Sequence, residues 1–251
     1  MKIDLSEQVA LVTGSAHRVG KAIALELADA GVNVIVHYNN TDASTVRDTV
    51  QDIKSRGVDA FSVQADLNNP EQIERLMERV KEHYERFDIL VNSASMFPRR
   101  DLLDITVEEW DTVMNVNLRA PLLLTQHAVR LMQQNVIPGG SIINICDQGA
   151  FAPWPERPHH GISKYALWML TQVSAVTLGP HIRVNAVVPG PVLQAGSSDE
   201  GWRRHGESLP LRKTGSPEDV ARAVIYLASE GFVTGTRIDV NGGEHLLYPK
   251  H

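Results

Sequence analysis

Residues 11–30 read LVTGSAHRVGKAIALELADA and carry a strand end, a glycine turn and a helix in direct succession. The apolar run Val9-Ala10-Leu11-Val12 reads as a buried strand. Gly14 stands near the start of the turn and Gly20 near its end. Val19, Ile23, Leu27 and Ala30 then recur on one helical face. Strand, glycine turn and helix form the geometry of a dinucleotide site. Glycine lets the backbone approach a pyrophosphate, and the helix N-terminus offers free N–H groups and the positive end of its dipole. A glycine-bearing strand-to-helix turn without a ligand is the alternative for this stretch taken alone.

Working outward, the chain alternates. Gly31 reads as a helix C-cap, followed by a second strand over 32–38 and a helix over 43–55. A third strand covers 59–64. Pro70 begins a helix in which Ile73, Leu76, Met77 and Val80 repeat at helical spacing. The fourth strand is 88–92. Thr106-Val-Glu-Glu109 fits a capping box that opens one long helix through Met132, stopped by Gly139-Gly140. Strand five is 141–145, a helix covers 163–178, and strand six is 182–188. Ser216-Pro217-Glu218-Asp219 places a cap serine, a first-turn proline and two acids at the head of a helix to about Ser229. Residues 237–240 close as strand seven. Strands alternating with helices imply right-handed crossovers and a parallel sheet covered on both faces, with ligands at the carboxyl ends of the strands.

Composition narrows the class. The 251 residues are 43% hydrophobic and contain no linker-like tract, so one α/β domain spanning 1–251 is expected. Lys and Arg number 24 and Asp and Glu 30, a formal charge of −6, without the basic runs of a nucleic-acid binder. Cys146 is the single cysteine, which excludes an internal disulfide and a cysteine-based metal cluster. No metal is expected. No apolar run approaches the roughly 20 residues of a membrane span, and Met1-Lys2-Ile3-Asp4 does not read as a signal peptide. A cytoplasmic protein is the expectation.

Thr13-Gly14-Ser-Ala-His-Arg-Val-Gly20, Asp66-Leu67, Asn92-Ser-Ala-Ser95, Asn117, Lys164, Pro189-Gly190 and Asp239-Val-Asn-Gly-Gly243 fall where the short-chain dehydrogenase/reductase family has its landmarks. The chain resembles that family over nearly its whole length. The resemblance implies a single Rossmann-like three-layer α/β sandwich with a seven-stranded parallel sheet, a bound NAD(H) or NADP(H), and a homotetramer or homodimer. Arg18, where most of the family has glycine, makes the turn similar to that of the pteridine reductases, as does Asn-Ser-Ala-Ser-Met-Phe97. In that group the arginine contacts cofactor phosphate and the pterin, the serine matching Ser95 bonds the pterin, and the phenylalanine matching Phe97 stacks on its ring. A flat heteroaromatic ring lying against a phenyl face is physically reasonable. Phe97 packing on its own scaffold is the competing account.

The resemblance assigns cofactor contacts to Gly14, Ala16, His17, Arg18, Val19 and Gly20 in the turn, and to Asp66 and Leu67 beside the adenine. It assigns further contacts to Asn92, Ser93 and Ala94 after strand four, to Lys164 at the ribose, and to Pro189, Gly190 and Val192 over the nicotinamide. The second strand ends His37-Tyr38-Asn39-Asn40-Thr41, with no acid there for a ribose 2′-hydroxyl. With Arg18 beside the site, a 2′-phosphate is favoured and NADP(H) is the expected cofactor. Asn40 departs from the group, which tends to carry another arginine there.

The reaction centre departs most. The family uses serine, tyrosine and lysine, with Tyr-xxx-Lys one helical turn apart. Pteridine reductases place aspartate for the serine, and Asp147 stands at that position. The tyrosine slot reads His160-Gly-Ile-Ser-Lys164, so histidine replaces tyrosine. Tyr165 lies about 100° around the helix from Lys164 and cannot fill the slot without a register shift. Three readings stay open. His160 acts as the general acid; Asp147 handles the proton while His160 shapes the site; or the centre is attenuated and the protein binds cofactor with little turnover. A lysine ammonium nearby disfavours imidazolium and points to a neutral ring donating through one N–H. Asn117 belongs to the family's proton relay. Arg18, Ser95, Phe97, Asp147 and His160 are the expected substrate contacts. The proline-rich stretch 149–158 is expected to wall the pocket, and residues 190–212 to form a substrate lid that brings Trp202 near. The functional expectation is an NADPH-dependent reductase of a dihydropterin-like C=N bond. A carbonyl or alcohol oxidoreductase of the same fold, or an attenuated cofactor binder, are the rivals.

Overall fold

The structure is a computed structural model describing residues 4–194 and 198–247. Its elements in order are β1 (Val9–Val12), α1 (Arg18–Asp29), β2 (Asn33–Tyr38), α2 (Ala43–Lys54), β3 (Ala60–Gln64), α3 (Pro70–His83) and β4 (Ile89–Asn92). Then follow α4 (Val107–Met114), α5 (Ala120–Met132), β5 (Gly140–Ile145), α6 (Pro158–Leu178), β6 (Ile182–Pro189), α7 (Asp199–Ser208), α8 (Pro217–Ser229) and β7 (Arg237–Val240). The strands form one sheet in the order β3-β2-β1-β4-β5-β6-β7, with every pairing parallel. The order reverses between β1 and β4, which opens a crevice at their carboxyl ends.

The central strands are mostly apolar because both faces are covered. In β1, Ala10 and Val12 enter the layer beneath α1 and α8, with Val34, Val36, Ile89, Val91 and Val224. Val9 and Leu11 point the other way, into the layer beneath α3 and α5 with Ile35, Leu90, Leu76 and Leu124. Side-chain alternation thus feeds two cores from one strand. No helix among the described residues is long and apolar enough to cross a membrane.

Capping sets the helix starts. Asp42 accepts from Thr45 N–H at 2.9 Å, Asn69 from Glu71 N–H at 2.9 Å ahead of Pro70, and Ser216 N–H donates to Asp219 Oδ2 at 2.8 Å. His17, the cap of α1, makes no side-chain cap bond, so its first amides face the crevice free of a side-chain acceptor.

Three expectations are corrected, and a helix appears in the segment expected to be a lid. The helix from Thr106 is not continuous: residues Asn115–Arg119 form a π turn between α4 and α5. Its capping box is half made. Thr106 Oγ1 accepts from Glu109 N–H at 3.2 Å, while the Glu109 carboxylate turns to Arg100 at 2.9 Å and His159 at 3.4 Å. Helix α6 begins at Pro158, the proline at its first turn, so His160 lies in that turn. The segment expected to be a lid contains a helix, α7, capped by Ser198 on Gly201 N–H at 3.1 Å. Residues 195–197 of that segment lie outside the described residues.

Candidate active site

A cleft of about 1440 Å³ runs along the carboxyl ends of the strands, and most of the residues singled out in the sequence line it. The half of the cleft expected to hold cofactor is built on β1. Gly14 has φ +65°, and a Cβ there would lie 3.1 Å from Ala94 Cα. A Cβ on Gly20 would lie 2.3 Å from Gly14 O. Both positions therefore need glycine, one for conformation and one for close approach of α1 to the turn. Thr13 Oγ1 accepts from the Ser93 and Ala94 N–H groups, each at 2.9 Å, tying the β4 loop to the turn.

His37 holds the turn from beneath. Its Nδ1 accepts from Gly14 N–H at 3.0 Å and its Nε2 faces Ala65 O at 3.0 Å. A carbonyl only accepts, so Nε2 carries the proton and the ring is neutral. Burial accordingly pulls His37 down from the ordinary 6.5 to about 4. Ala16, His17, Arg18, Val19, Tyr38, Asn39, Asn40, Thr41, Asp66 and Leu67 complete this half. Arg18 adopts φ +56°, a left-handed conformation that costs a non-glycine residue roughly 1–2 kcal/mol. Asp42, the acid nearest this end of β2 in sequence, caps α2 and is held below the usual carboxylate range by its bonds to Ser44 and Thr45.

The half expected to carry the reaction gathers Asp147, His160 and Lys164. Asp147 follows β5, accepts from Gly149 N–H at 2.8 Å, and places Oδ2 3.6 Å from His160 Nε2. Lys164 is buried and donates to Ile145 O at 2.8 Å. Burial lowers its pKa, against the opposing influence of Cys146 and Asp147. Burial raises the Cys146 thiol to about 12, leaving it a small apolar side chain at neutral pH. His160 Nδ1 donates to Met96 O at 2.9 Å. The single N–H expected for a neutral His160 is therefore spent on the backbone. His159, the neighbouring ring, points to Glu109 instead.

Ser95 and Phe97 reach the cleft on the loop after β4. Phe97 meets Trp154 and His160 edge-on, at centroid distances of 5.9 and 4.5 Å. Arg157 lies 3.6 Å from its ring centroid and donates to its carbonyl. One face of Phe97 is thus capped by a cation, and stacking is left to the other. Trp154 comes from the proline-rich stretch and Trp202 from α7, and both line the cleft; Pro189, Gly190 and Val192 do so after β6.

Two expected site residues lie outside the lining. Asn92 is buried and donates to Asn144 Oδ1 at 2.8 Å, bracing β4 against β5. Asn117 is buried in the π turn and bonds the Met96 backbone. The cleft also contains residues that the sequence did not single out. Glu244, just past Gly242-Gly243, is buried, and its Oε1 stands 3.4 Å from His205 Nε2 on α7. Burial raises its pKa, Asp147 adds to the rise and His205 opposes it. Its position after the glycine pair was the available signal. Met96 acts through its carbonyl and left none.

Residues 14–245 match the family model adh_short_C2, described as enoyl-(acyl carrier protein) reductase. Glucose 1-dehydrogenase 2 of Bacillus subtilis is 33% identical over 254 residues, covering 98% of this chain and 97% of that protein. The 3-oxoacyl-[acyl-carrier-protein] reductase FabG of Aquifex aeolicus is 34% identical over 250 residues, covering 97% and 99%. Among solved structures, FolM alternative dihydrofolate reductase 1 from Brucella canis, complexed with NADP, superposes with a TM-score of 0.91 at 31% identity, covering 98% of this chain and 97% of that one.

Proposed function

The chain belongs to the short-chain dehydrogenase/reductase family, and on that premise we propose that it is an NADP(H)-dependent reductase of a dihydropterin or similar heteroaromatic C=N substrate. The carrying observation is one cleft that holds Arg18 in the glycine turn, Ser95 and Phe97 after β4, and Asp147 in place of the family's serine. The NADP-bound FolM relative supports the same direction.

The residues present fit the cofactor. Gly14 and the open first turn of α1 suit a pyrophosphate. Arg18, Asn40 and Thr41 offer a cation and hydrogen-bond donors to a 2′-phosphate, and Asp42 is committed to capping. Lys164, buried at the cleft, would hold the ribose. The bound nicotinamide supplies hydride. The protein's share is to orient the ring through Ser95, Phe97 and Arg18 and to manage one proton through Asp147 and His160.

In this reading residues 190–212 form the lid of a cytoplasmic, single-domain enzyme that assembles as a homotetramer or homodimer. Ile162, Tyr165, Met169, Val173 and Val176 leave an exposed apolar stripe along α6, which supports assembly.

Calorimetry on the NADP+-loaded protein tests the reading, with 7,8-dihydropterin as titrant and an aliphatic ketone as control. Saturable pterin binding that weakens about tenfold in both Phe97→Ala and Ser95→Ala supports it. Ketone binding without pterin binding would move the protein to carbonyl chemistry.

A further inference from the structure

His160 has two ring nitrogens in different surroundings. Nδ1 lies 2.9 Å from Met96 O. The carbonyl can only accept, so Nδ1 is protonated. Met96 is held on both sides by one amide. Asn117 Oδ1 accepts from Met96 N–H at 2.8 Å, and Asn117 Nδ2 donates to Met96 O at 3.0 Å. The same Nδ2 donates to Ser163 Oγ at 3.0 Å, and that hydroxyl donates to His160 O at 2.7 Å. Every polar atom of the Asn117 side chain is thus committed to the loop and helix that carry His160. Nε2, by contrast, is buried without a hydrogen-bond partner on the side that faces Asp147.

We infer that Asn117, acting through the Met96 carbonyl, fixes neutral His160 as the Nδ1–H tautomer, so that Nε2, on the Asp147 side, accepts a proton when the ring is neutral and donates one only as imidazolium. Asn117 is a positioning residue in this arrangement. The consequence for catalysis rests on the proposed placement of His160 at the reacting bond; the tautomer does not.

A neutral Nδ1–H ring presents only a lone pair at Nε2, whereas a neutral phenol presents an O–H, and this divides the reactions His160 serves. In a reduction, hydride adds to the substrate carbon, the π pair moves to the nitrogen or oxygen, and that atom takes the proton as the Nε2–H bond of imidazolium breaks. In the reverse direction a substrate O–H or N–H gives its proton to neutral Nε2 while hydride leaves to the oxidised cofactor. Reduction therefore draws on the acid form and oxidation on the neutral form. The charged group against Nε2 is Asp147, with Oδ2 at 3.6 Å, while Lys164, His205 and Glu244 line the same cleft and Arg157 lies on the Phe97 ring.

The test is a solid-state 15N spectrum of protein labelled in its histidine rings, recorded at alkaline pH. Subtracting the spectrum of His160→Gln isolates the His160 signals. The expected difference is a protonated Nδ1 and an unprotonated Nε2; the opposite assignment overturns the inference. In Asn117→Ala a second, Nε2–H population is expected, and an unchanged spectrum would remove Asn117 from the account. The wild-type spectrum decides the tautomer even if that variant does not fold. A matching kinetic signature is a reduction rate that falls, and an oxidation rate that rises, as pH increases. Failure of 7,8-dihydropterin to react, with the expected tautomer observed, would overturn the pterin reading and leave this one standing.

Discussion

Mild acid should loosen the protein through one buried ring. His37 is neutral in the fold, with Nδ1 accepting from Gly14 N–H and Nε2 donating to Ala65 O. Its pKa drops from 6.5 to about 4 because burial penalises the charge. The unfolded chain therefore binds a proton at this site more readily than the fold. The stability this neutral ring preserves is complete above pH 6.5 and is lost as pH falls through the interval down to 4. A shift of about 2.5 units corresponds to about 3.4 kcal/mol over the full interval, of which about 2 kcal/mol is gone by pH 5. Protonation also removes the acceptor for Gly14 N–H, so the glycine turn should loosen with it.

Urea unfolding of wild type and His37→Asn, compared from pH 4 to 8, isolates the effect. Asparagine can accept from Gly14 N–H and does not titrate. Other ionisable groups are common to both proteins and cancel in the difference. Wild type should lose about 2 kcal/mol more than the variant between pH 7 and pH 5. Parallel profiles would refute the reasoning, because they would mean that His37 titrates alike in the folded and unfolded chain.

Arg18→Gly should relieve the φ +56° conformation and gain about 1 kcal/mol in urea unfolding, while NADPH titration shows weaker binding. A loss of stability would contradict the strain. Arg157→Leu removes a cation from the Phe97 ring and a bond to its carbonyl. About 1–2 kcal/mol of positioning is at stake, so KM for a flat ring should rise roughly 5- to 30-fold with kcat little changed; a fall in kcat alone would contradict this. Burial raises the Glu244 pKa, so the fold holds that proton more tightly than the unfolded chain and stability falls as pH rises through its folded titration. Glu244→Gln should therefore raise the melting temperature at pH 8 and not at pH 4; an equal change at both would place the effect in packing.

The sheet was legible because its strands are buried on both faces and stand as short apolar runs between turn residues. Val9–Val12 and Ile89–Asn92 are clear cases. Helix α7 was hidden by its composition: residues 198–208 have few apolar side chains, and only the Ser198-Asp199-Glu200 opening marked a start. The π turn at 115–119 left no trace because a hydrogen-bond slip does not change residue type. In the site, the turn was readable from its glycines, and the missing acid after β2 from the residues themselves. What the sequence could not disclose was the backbone's share. Met96 O decides which nitrogen of His160 holds the proton, and a carbonyl looks alike at every position. Arg157 over Phe97 needed the fold to bring positions 60 residues apart together.

NADPH consumption with 7,8-dihydropterin, followed from pH 5 to 9 for wild type and His160→Tyr side by side, tests the central claim most directly. The account predicts turnover by wild type that declines as pH rises, and a tyrosine variant with a different pH profile. An inert wild type, with NADPH still bound and the tyrosine variant equally inert, would contradict it.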